Sequence, residues 1–376
     1  MKYRVFISAA EPSADAHCAG LITALKQTGC EIEFVGVGGP KMAAAGCELL
    51  EDTTGKAAMT YNAFGHIAYF YGLIKRISSF LKNNKTDLVI VCDSPAFNFH
   101  VAKAAKKLGV KTLFYVAPQL WAWAEWRIGK LHKYCDKLCC ILPFEQAWFA
   151  SRGIDVTFVG HPLLDETDAD LSHYRKRYVD FEPRKAVIAL MPGSRDAEIN
   201  SLWVPMQQAA IRIKRKYPNV TFTAAAVDEK RKDILKSVRV IGFKGRYEVG
   251  SVAETARQAD FAIVASGSAT LQVAAAGCPM VIMYQSNKII WHLLGRWLVK
   301  TKHLSLVNIL AGKELVPEFM PYFSSIEPIA DTVEKLLADR DALAQISSEL
   351  IKLAGPLRRG NASEKTAQIV ISLLNC

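Results

Sequence analysis

Asp93 is the residue whose position best suits acid–base chemistry. It directly follows the largely apolar run Asp87–Cys92, which the pattern predicts to be a buried strand. A lone carboxylate at the carboxyl end of a buried strand is well placed for a raised pKa and for general-base work. The alternative is that Asp93 only caps the helix that follows.

Two more loops bring polar and aromatic side chains to predicted strand ends in the first half of the chain. The loop after strand Tyr3–Ser8 carries Glu11, Ser13 and Asp15 and lacks the GxGxxG pattern of dinucleotide-binding folds. Carboxylates accept hydrogen bonds from sugar hydroxyls, so this loop is a candidate sugar site, although Ser13 or Asp15 can also cap the next helix. The run Pro118–Trp123, after another strand, adds aromatic faces.

Small and hydroxyl-bearing residues follow two predicted strands in the second half. The strand Asp260–Ala265 leads into Ser266-Gly267-Ser268-Ala269-Thr270 and then into a helix, whose free N–H groups and positive dipole end form an anion site. The loop Pro192–Arg195 follows strand Ala186–Met191, and an arginine there can bind a diphosphate through two hydrogen bonds. We therefore predict a pyrophosphate held from two sides. The alternatives are an ordinary capped helix start and a surface arginine paired with Glu198.

Neither the acidic nor the cysteine pattern indicates a metal site. The pair in Asp168-Ala169-Asp170 has the DxD spacing of metal-dependent sugar transferases, but it lies in a polar stretch, where we interpret it as solvated charge. The nine cysteines include no CxxC pair, and most stand in apolar runs such as Lys137–Leu142. This pattern is typical of reduced, buried thiols in a cytoplasmic protein.

The net charge of +11 suits phosphate-bearing ligands, nucleic acid or an anionic membrane surface. Two segments, Phe64–Lys82 and Ile289–Lys302, mix aromatic and basic residues as interfacial helices do. The alternative for each is a core-facing stripe with a charged back. No run approaches the roughly 18 apolar residues that span a bilayer, so any membrane contact is expected to be peripheral. The residues predicted to make it are Phe70, Tyr71, Lys75 and Arg76.

Short apolar runs alternate with amphipathic segments along all 376 residues, which predicts parallel sheets flanked by helices. A polar stretch at 165–184 separates two such series, and the second includes a predicted strand near Val238–Phe243. We therefore expect an α/β protein with two doubly wound, Rossmann-like domains, residues 1–163 and 164–355, and a ligand cleft between them. The last helix, about residues 356–376, is expected on the first domain, with a partner chain as the alternative.

Taken in order, these loops resemble the lipid-A-disaccharide synthase family of GT-B glycosyltransferases, which act in bacterial outer-membrane lipid synthesis. The match runs essentially from end to end. Singly the motifs are weak, but as an ordered set they are highly specific. They are Glu11-x-Ser13-x-Asp15, Phe34-Val35-Gly36-Val37-Gly38-Gly39-Pro40, Asp93-x-Pro95-x-Phe97-Asn98, Tyr115 to Trp123, Leu142-Pro143-Phe144-Glu145, Phe158-Val159-Gly160-His161, Pro192-Gly193-Ser194-Arg195-x-x-Glu198-Ile199, Ala265 to Leu271, and Ser305-Leu306-Val307-Asn308-Ile309-Leu310-Ala311-Gly312.

The resemblance implies an inverting transfer from UDP-2,3-diacylglucosamine to 2,3-diacylglucosamine 1-phosphate at the inner face of the cytoplasmic membrane. It implies the β-1,6-linked disaccharide 1-phosphate and UDP as products, with no metal, no other cofactor and no nucleic-acid partner. Asp93 matches the family's proposed base, while Arg195 and Asn308 match residues needed for activity. The oligomeric state stays open.

The resemblance and the loop chemistry together assign residues to two groups. The expected donor-binding residues are Ser194, Arg195, Ser266, Gly267, Ser268, Ala269, Thr270, Gln272 and Asn308. The expected acceptor-binding residues are Glu11, Ser13, Asp15, Asn98, Gln119 and Trp121.

The chain departs from the family pattern at four positions. Ala10 and Ala14 replace both glycines of the acidic loop, and Ala96 replaces the acidic residue before the Phe-Asn pair. Gln272 replaces the glutamate expected at the ribose. Two rival functions are a nucleotide-sugar 2-epimerase of the same fold and a non-catalytic membrane-surface protein that binds nucleotide sugars. Lipid-dependent release of UDP separates all three.

Overall fold

The strands form two separate parallel sheets, one in each of two compact units. The computed structural model describes residues 2–54, 63–165, 178, 180–295, 299–358 and 361–376. Unit 1 comprises Met1–Glu166 and Leu357–Cys376, and unit 2 comprises Thr167–Pro356. The predicted α/β class, with two Rossmann-like sheets, is confirmed.

Unit 1 is built on a seven-stranded sheet. Its strands are β1 (Tyr3–Ala9), β2 (Ile32–Gly38), β3 (Glu48–Asp52), β4 (Leu88–Cys92), β5 (Lys111–Tyr115), β6 (Lys137–Cys140) and β7 (Val156–Phe158). They pair in the order β3-β2-β1-β4-β5-β6-β7. Its helices up to β7 are α1 (Pro12–Lys26), α2 (Pro40–Ala44), α3 (Ala63–Asn83), α4 (Pro95–Lys107), α5 (Leu120–Trp123), α6 (Ile128–Tyr134) and α7 (Pro143–Ala150). The continuous apolar run of β4 is fully buried, as expected of a parallel strand covered on both faces.

Unit 2 repeats this architecture with six strands. They are β8 (Val187–Met191), β9 (Thr221–Ala226), β10 (Arg246–Val249), β11 (Phe261–Ala265), β12 (Met280–Met283) and β13 (Glu318–Phe319). They pair in parallel in the order β10-β9-β8-β11-β12-β13. The helices are α8 (Asp196–Lys216), α9 (Glu229–Ser237), α10 (Val252–Gln258), α11 (Ala269–Ala275), α12 (Lys288–Ile290), α13 (Leu306–Ala311), α14 (Glu327–Ala338) and α15 (Arg340–Arg358).

In both sheets the strand order changes direction between two adjacent central strands, and we call this place the reversal point of the sheet. In unit 1 this happens between β1 and β4, which pair in parallel with Ala9 opposite Cys92. In unit 2 it happens between β8 and β11, with Met191 opposite Val264. The loops that leave such neighbouring strands diverge to opposite faces of the sheet, and ligands of doubly wound folds bind in the gap that this opens.

The run Val238–Phe243 is not a strand, so that prediction is wrong. The side-chain amide of Gln207, in α8, donates to the carbonyl of Val238 at 2.9 Å and accepts from the Val240 N–H at 2.8 Å. A buried side chain thus pairs the backbone groups that a neighbouring strand would otherwise satisfy. The edge strand of the sheet is instead β10.

The chain's last helix, α16 (Ala362–Leu374), lies in unit 1 and packs against α1. The Asp165 carboxylate accepts hydrogen bonds from the N–H groups of Ala362 and Ser363, at 2.7 and 2.9 Å, and so caps this helix. Within the described ranges, no helix has both the length and the apolar composition needed to cross a bilayer.

A disulfide bond joins Cys30 to Cys376, with 6.3 Å between their Cα atoms. The interpretation of the cysteine pattern as one of reduced, buried thiols is therefore wrong for this pair. The other seven cysteines are free thiols, and all but one of them are buried. Burial raises the pKa of Cys47 and of Cys139 to about 12, which keeps these thiols protonated and inert at neutral pH.

Two buried histidines, His17 of α1 and His161 after β7, stand edge to face with ring centroids 6.3 Å apart. Burial, with Lys41 as a smaller cause, lowers the pKa of His17 from 6.5 to about 4. Burial, with His17 as a smaller cause, lowers the pKa of His161 to about 3. Both rings are therefore neutral in the folded protein at pH 7.

This pair predicts that acid destabilises unit 1. A histidine whose pKa is lowered by folding contributes stability above its unfolded pKa and loses it as the pH falls towards the folded pKa. We expect the free energy of unfolding of wild type to fall by roughly 3 kcal/mol more than that of His17→Gln between pH 7 and pH 4, because folding lowers the pKa of His17 from 6.5 to about 4. Urea unfolding at a series of pH values measures the difference. A difference that stays constant over this range would show that His17 titrates normally.

Candidate functional site

The acidic loops of unit 1 follow the two strands at its reversal point, and they contact each other. Glu11 immediately precedes α1, at the end of β1, and Asp93 and Ser94 lie between β4 and α4. The Ser94 hydroxyl donates to the Glu11 carboxylate at 3.2 Å. The structure thus places Glu11 beside the Asp93 loop, as the shared sheet edge predicts. Ser13, in the first turn of α1, is half-buried on the same side.

The backbone at Asp93 is strained. Asp93 and Ser94 both lie in the left-handed region, with φ of 51° and 42°, which costs non-glycine residues on the order of 1–3 kcal/mol each. Helix α4 begins at Pro95, and Ser94 stands at its capping position without a side-chain capping hydrogen bond. Asp93 is half-buried and stands two residues before the helix, at the carboxyl end of a fully buried strand.

Asn98 holds this strained loop in place. Its side-chain amide donates to the carbonyls of Cys92 and Asp93, both at 2.8 Å, and its oxygen accepts from the Ser8 hydroxyl at 2.7 Å. Asn98 is fully buried. The prediction that Asn98 binds acceptor is therefore corrected. Asn98 positions the backbone of Asp93, and its side chain has no exposed surface that could contact a ligand.

Asp15 also has a structural role that its assignment to acceptor binding overlooked. It is only 2% exposed, and its two oxygens accept backbone hydrogen bonds from Gly39, Lys41 and Met42 at 2.8–3.1 Å. It therefore caps α2 across the loop after β2. A side chain at Gly39 would place its Cβ 2.7 Å from Asp15 Oδ2, so only glycine allows this approach.

Trp121 is a buried anchor and not an open aromatic face. The indole is 8% exposed, its N–H donates to Glu145 Oε1 at 2.9 Å, and its ring packs edge to face on Phe144. The predicted direct contact with acceptor is corrected accordingly. Gln119, just before α5, is exposed at the end of the β5 loop and keeps its place among the candidate acceptor residues.

Glu145 connects the β5 and β6 loops. Its second oxygen accepts from the N–H groups of Ile141 and Leu142, at 3.2 and 3.0 Å, at the start of α7. Burial raises the pKa of Glu145 to about 7, although the hydrogen bonds from Trp121 and the backbone oppose the shift. One buried carboxylate therefore fixes two loops at the carboxyl edge of the sheet.

In unit 2, the loop Pro192–Arg195 follows β8, and hydrogen bonds to the Glu198 carboxylate hold it in place. Glu198 Oε2 accepts from the N–H groups of Ser194 and Arg195 at 3.0 and 3.2 Å, and Oε1 accepts from the Arg195 guanidinium at 3.2 Å. A Cβ at position 193 would lie 2.2 Å from Glu198 Oε2, and the backbone φ of Gly193 is 105°, so both contacts and conformation require glycine here. The predicted pairing with Glu198 is observed, yet the Arg195 side chain remains 66% exposed. Glu198 thus orients a guanidinium that still faces solvent.

The second loop of unit 2 runs from Ser266 into α11, after the neighbouring strand β11. Gly267 and Ser268 are exposed, and Ser266 and Ala269 are half-buried. The buried Thr270 hydroxyl donates to the Gly267 carbonyl at 2.7 Å and so stabilises the loop. The prediction that Thr270 contacts the donor is corrected accordingly. Gln272 lies half-buried in the first turn of α11.

Asn308 is a buried support. Its amide donates to Val316 O and Glu318 Oε2, at 2.8 and 3.1 Å, and accepts from the N–H groups of Leu315 and Val316, at 2.9 and 3.1 Å. All four hydrogen-bonding positions of the amide are used, and the side chain is fully buried. The prediction that Asn308 binds the sugar donor directly is therefore corrected. It orders α13, which packs against α11.

The buried Glu145 and the half-buried Glu318 were given no role from the sequence. Glu145 had a local signal, since a glutamate at the third position of a helix is the mark of a capping box. Glu318 had none, because the groups it binds lie 10–14 residues earlier: Leu304 N, Ser305 N and the Asn308 amide, all at 3.0–3.1 Å.

The predicted membrane residues of α3 divide into two pairs. Phe70 stacks on Phe97 with ring centroids 5.0 Å apart, and Arg76 pairs with Glu51 at 2.7 Å. Tyr71 is 62% exposed, with the Lys75 ammonium 4.7 Å from its ring centroid. Phe70 thus packs partly against the core, whereas Tyr71 and Lys75 face solvent, and membrane contact by these residues stays a prediction.

Part of the second basic segment, residues 296–298, and the Asp168-Ala169-Asp170 pair lie outside the described residues. In the described part of the second segment, Ile289 and Leu293 are largely exposed. Across the described ranges, no group of three His, Cys, Asp or Glu side chains is placed to hold a metal ion.

Comparison with known proteins covers nearly the whole chain. A family model described as lipid-A-disaccharide synthetase matches residues 5–371. Proteins named lipid-A-disaccharide synthase from Geobacter metallireducens and Syntrophus aciditrophicus are 31% and 33% identical; the matches cover 99% and 98% of this chain and 97% of each relative.

Solved structures share the fold at low sequence identity. A UDP-GlcNAc 2-epimerase from Neisseria meningitidis, bound to UDP-GlcNAc, superposes with a TM-score of 0.62 at 12% identity, covering 99% of this chain and 100% of that one. MurG from Acinetobacter baumannii gives 0.60 at 14% identity, covering 98% and 99%. These likenesses show the fold alone.

The buried Glu145 predicts a pH-dependent stability difference. Folding raises its pKa from 4.5 to about 7, so the folded state loses stability as the pH rises between these values. Glutamine cannot ionise, so Glu145→Gln should gain roughly 3 kcal/mol relative to wild type between pH 4.5 and pH 8. Urea unfolding at each pH measures it.

Trp121→Phe is the matched control, because it removes only the indole donor and keeps the carboxyl group. Since that hydrogen bond lowers the pKa of Glu145, the midpoint of the stability change should move to higher pH in this variant. If the free energies of unfolding of Glu145→Gln and wild type differed by the same amount at every pH, the raised pKa of Glu145 would be contradicted.

Proposed function

The chain belongs to the lipid-A-disaccharide synthase family, and we propose that it transfers 2,3-diacylglucosamine from UDP to the 6-hydroxyl of 2,3-diacylglucosamine 1-phosphate. As a member of this family it is a glycosyltransferase of lipid A synthesis. The products of the proposed reaction are the β-1,6-linked disaccharide 1-phosphate and UDP. The observation that carries the proposal is the chemistry at the two reversal points. Unit 1 presents carboxylates there, and unit 2 presents an oriented arginine and a loop of small, exposed residues.

The transfer needs a base for the acceptor, and Asp93 supplies it. Its carboxylate takes the proton from the 6-hydroxyl as that oxygen attacks the anomeric carbon from the side opposite UDP, which inverts the centre. The strained backbone and the buried Asn98 fix the direction of the carboxylate before substrate binds. Glu11, which accepts from Ser94, binds acceptor hydroxyls in this proposal, together with Ser13 and Gln119.

The departing UDP needs positive groups at its diphosphate, and unit 2 supplies them. Arg195 binds the phosphates through its guanidinium, which Glu198 orients. Backbone N–H groups at Ser194 and at Gly267 to Ala269 add donors where negative charge develops. Gln272, in the first turn of α11, replaces the family's glutamate as the hydrogen-bonding group for the ribose.

We further propose that the protein works at the inner face of the cytoplasmic membrane, where both acylated substrates reside. The exposed pair Tyr71 and Lys75 on α3 supports this, because an aromatic ring beside an ammonium suits the lipid headgroup region.

Product analysis tests the proposed function against its rivals. Purified protein is incubated with UDP-2,3-diacylglucosamine and the 1-phosphate acceptor, and the products are identified by mass spectrometry. We expect the disaccharide 1-phosphate and one UDP for each disaccharide. A C2 epimer of the donor sugar formed without acceptor would support the epimerase, and stable UDP-sugar binding without turnover would support the binding protein.

Asp93→Asn is expected to lose turnover while keeping its fold and its affinity for UDP. General-base catalysis contributes about 10²–10⁴-fold, so the single-turnover rate with saturating acceptor should fall by that factor or more. The matched control is Asp155→Asn, the same chemical change at an exposed carboxylate before β7. An Asp93→Asn rate close to that of this control would remove Asp93 as the base and leave Glu11 as the next candidate.

The reaction is expected to be independent of divalent metal, because Arg195 and the loop before α11 supply the positive groups that a metal supplies in other transferases. The initial rate in an excess of EDTA should equal the untreated rate. Magnesium added afterwards should leave it unchanged. Loss of activity in EDTA that magnesium restores would refute this prediction.

A further inference from the structure

Two tryptophans in unit 1 are exposed to an extent unusual for so large an apolar side chain. Trp123, at the end of α5, is 39% exposed, and Trp126, in the turn before α6, is 65% exposed. Their rings meet edge to face with centroids 6.4 Å apart, and the Arg127 guanidinium lies 5.1 Å from the Trp123 ring centroid. An exposed indole with a free face and a polar N–H is the side chain most enriched at membrane–water interfaces.

Positive charge follows directly on α6. Lys130 and Lys133 are exposed, and neither forms an ion pair with any described residue. The two carboxylates of the surrounding stretch are already paired, Glu125 with Arg152 at 2.8 Å and Asp136 with Lys106. The local field is therefore positive, and it complements an anionic surface.

This surface adjoins the exposed pair of α3 on one side of the sheet. Helices α3, α4 and α6 pack in that order, and their inner faces share one hydrophobic core. Phe70 of α3 stacks on Phe97 in the first turn of α4, which places Tyr71 near the carboxyl edge of the sheet. Trp123 follows the carboxyl end of β5 and so lies towards the same edge.

We propose that Trp123, Trp126, Arg127, Lys130 and Lys133 form a docking surface for an anionic phospholipid bilayer. We call these residues the tryptophan surface. The indoles insert at headgroup depth, and the three cations bind lipid phosphates. The consequence rests on the proposed function: docking here holds the carboxyl edge of unit 1, with Asp93 and Glu11, at the depth where an acylated acceptor presents its sugar.

Co-sedimentation of the full chain with vesicles tests the proposal. One set contains phosphatidylethanolamine with phosphatidylglycerol, and the other contains phosphatidylcholine alone. We expect Trp123→Ser/Trp126→Ser to reduce partitioning at least about tenfold on anionic vesicles. Lys130→Glu/Lys133→Glu should reduce it about 25-fold or more on anionic vesicles only, because each of the two basic residues contributes about fivefold near anionic lipid.

Matched controls separate this surface from exposed hydrophobicity and charge in general. Leu108→Ser removes a 43% exposed apolar side chain at the other end of α4, and Lys230→Glu/Lys236→Glu makes the same charge change on α9 of unit 2. Both should bind vesicles as wild type does. Wild-type binding by the double tryptophan variant would overturn the proposal. So would a concentration-dependent dimer that this variant abolishes without lipid, since the occupant would then be a second copy.

Turnover with both substrates in detergent micelles keeps this proposal apart from the proposed function. Trp126, Lys130 and Lys133 have no place in the proposed catalysis or substrate binding, so Trp126→Ser and Lys130→Glu/Lys133→Glu should match wild type there. If wild type forms no disaccharide in micelles while the tryptophan variant still loses vesicle binding, the proposed function fails and the docking surface stands. If every variant binds vesicles like wild type while product forms normally, the docking surface fails alone.

Discussion

The order of strands in the two parallel sheets is the constraint on which the rest of the structure depends. A parallel strand must be followed by a crossover, and right-handed crossovers send successive helices to one face until the order reverses. Where it reverses, the loops after two adjacent strands separate and leave backbone and side chains open to a ligand. Both sheets reverse beside their first strand, between β1 and β4 and between β8 and β11. The candidate base and the candidate diphosphate-binding arginine each occupy one of these positions.

Buried and half-buried polar residues hold the exposed ones in place. Asn98 fixes the strained loop of Asp93, Glu198 closes the loop of Arg195, and Asn308 with Glu318 orders the helix that packs on α11. The magnitudes show why such support is needed at Asp93. Two left-handed residues cost on the order of 1–3 kcal/mol each, while a typical hydrogen bond contributes only about 1 kcal/mol. The two bonds from Asn98 offset part of the strain, and packing of the buried strand β4 supplies the rest.

Burial shifts the pKa values of acidic and basic groups in unit 1 in opposite directions. Burial raises the pKa of Glu145 and lowers the pKa of His17 and His161, so each group favours its neutral form in the fold. Arg195 in unit 2 and the cations Lys75, Lys130 and Lys133 of α3 and α6 in unit 1 are, by contrast, exposed. In the proposed function these groups meet phosphate, either on UDP or on lipid.

The sequence by itself determined the class of fold, most strand positions and the loops that carry chemistry. Apolar runs and turn residues are local signals, and Asp93, Glu11, Arg195 and Ser266 could be placed at strand ends from them. The short edge strands β3 and β13 carried too little signal, and the run at Val238–Phe243 carried a misleading one.

Only the tertiary structure decided which polar side chains face a ligand and which are consumed inside the fold. Asp15, Asn98, Trp121 and Asn308 were expected at the ligand, yet their partners are backbone and side-chain groups brought close by folding. The same holds for Cys30 and Cys376, which are 346 residues apart in sequence and joined in space. The physical reason is that a polar residue satisfies its hydrogen bonds with whatever the fold places beside it. Spacing along the chain describes only its local neighbours.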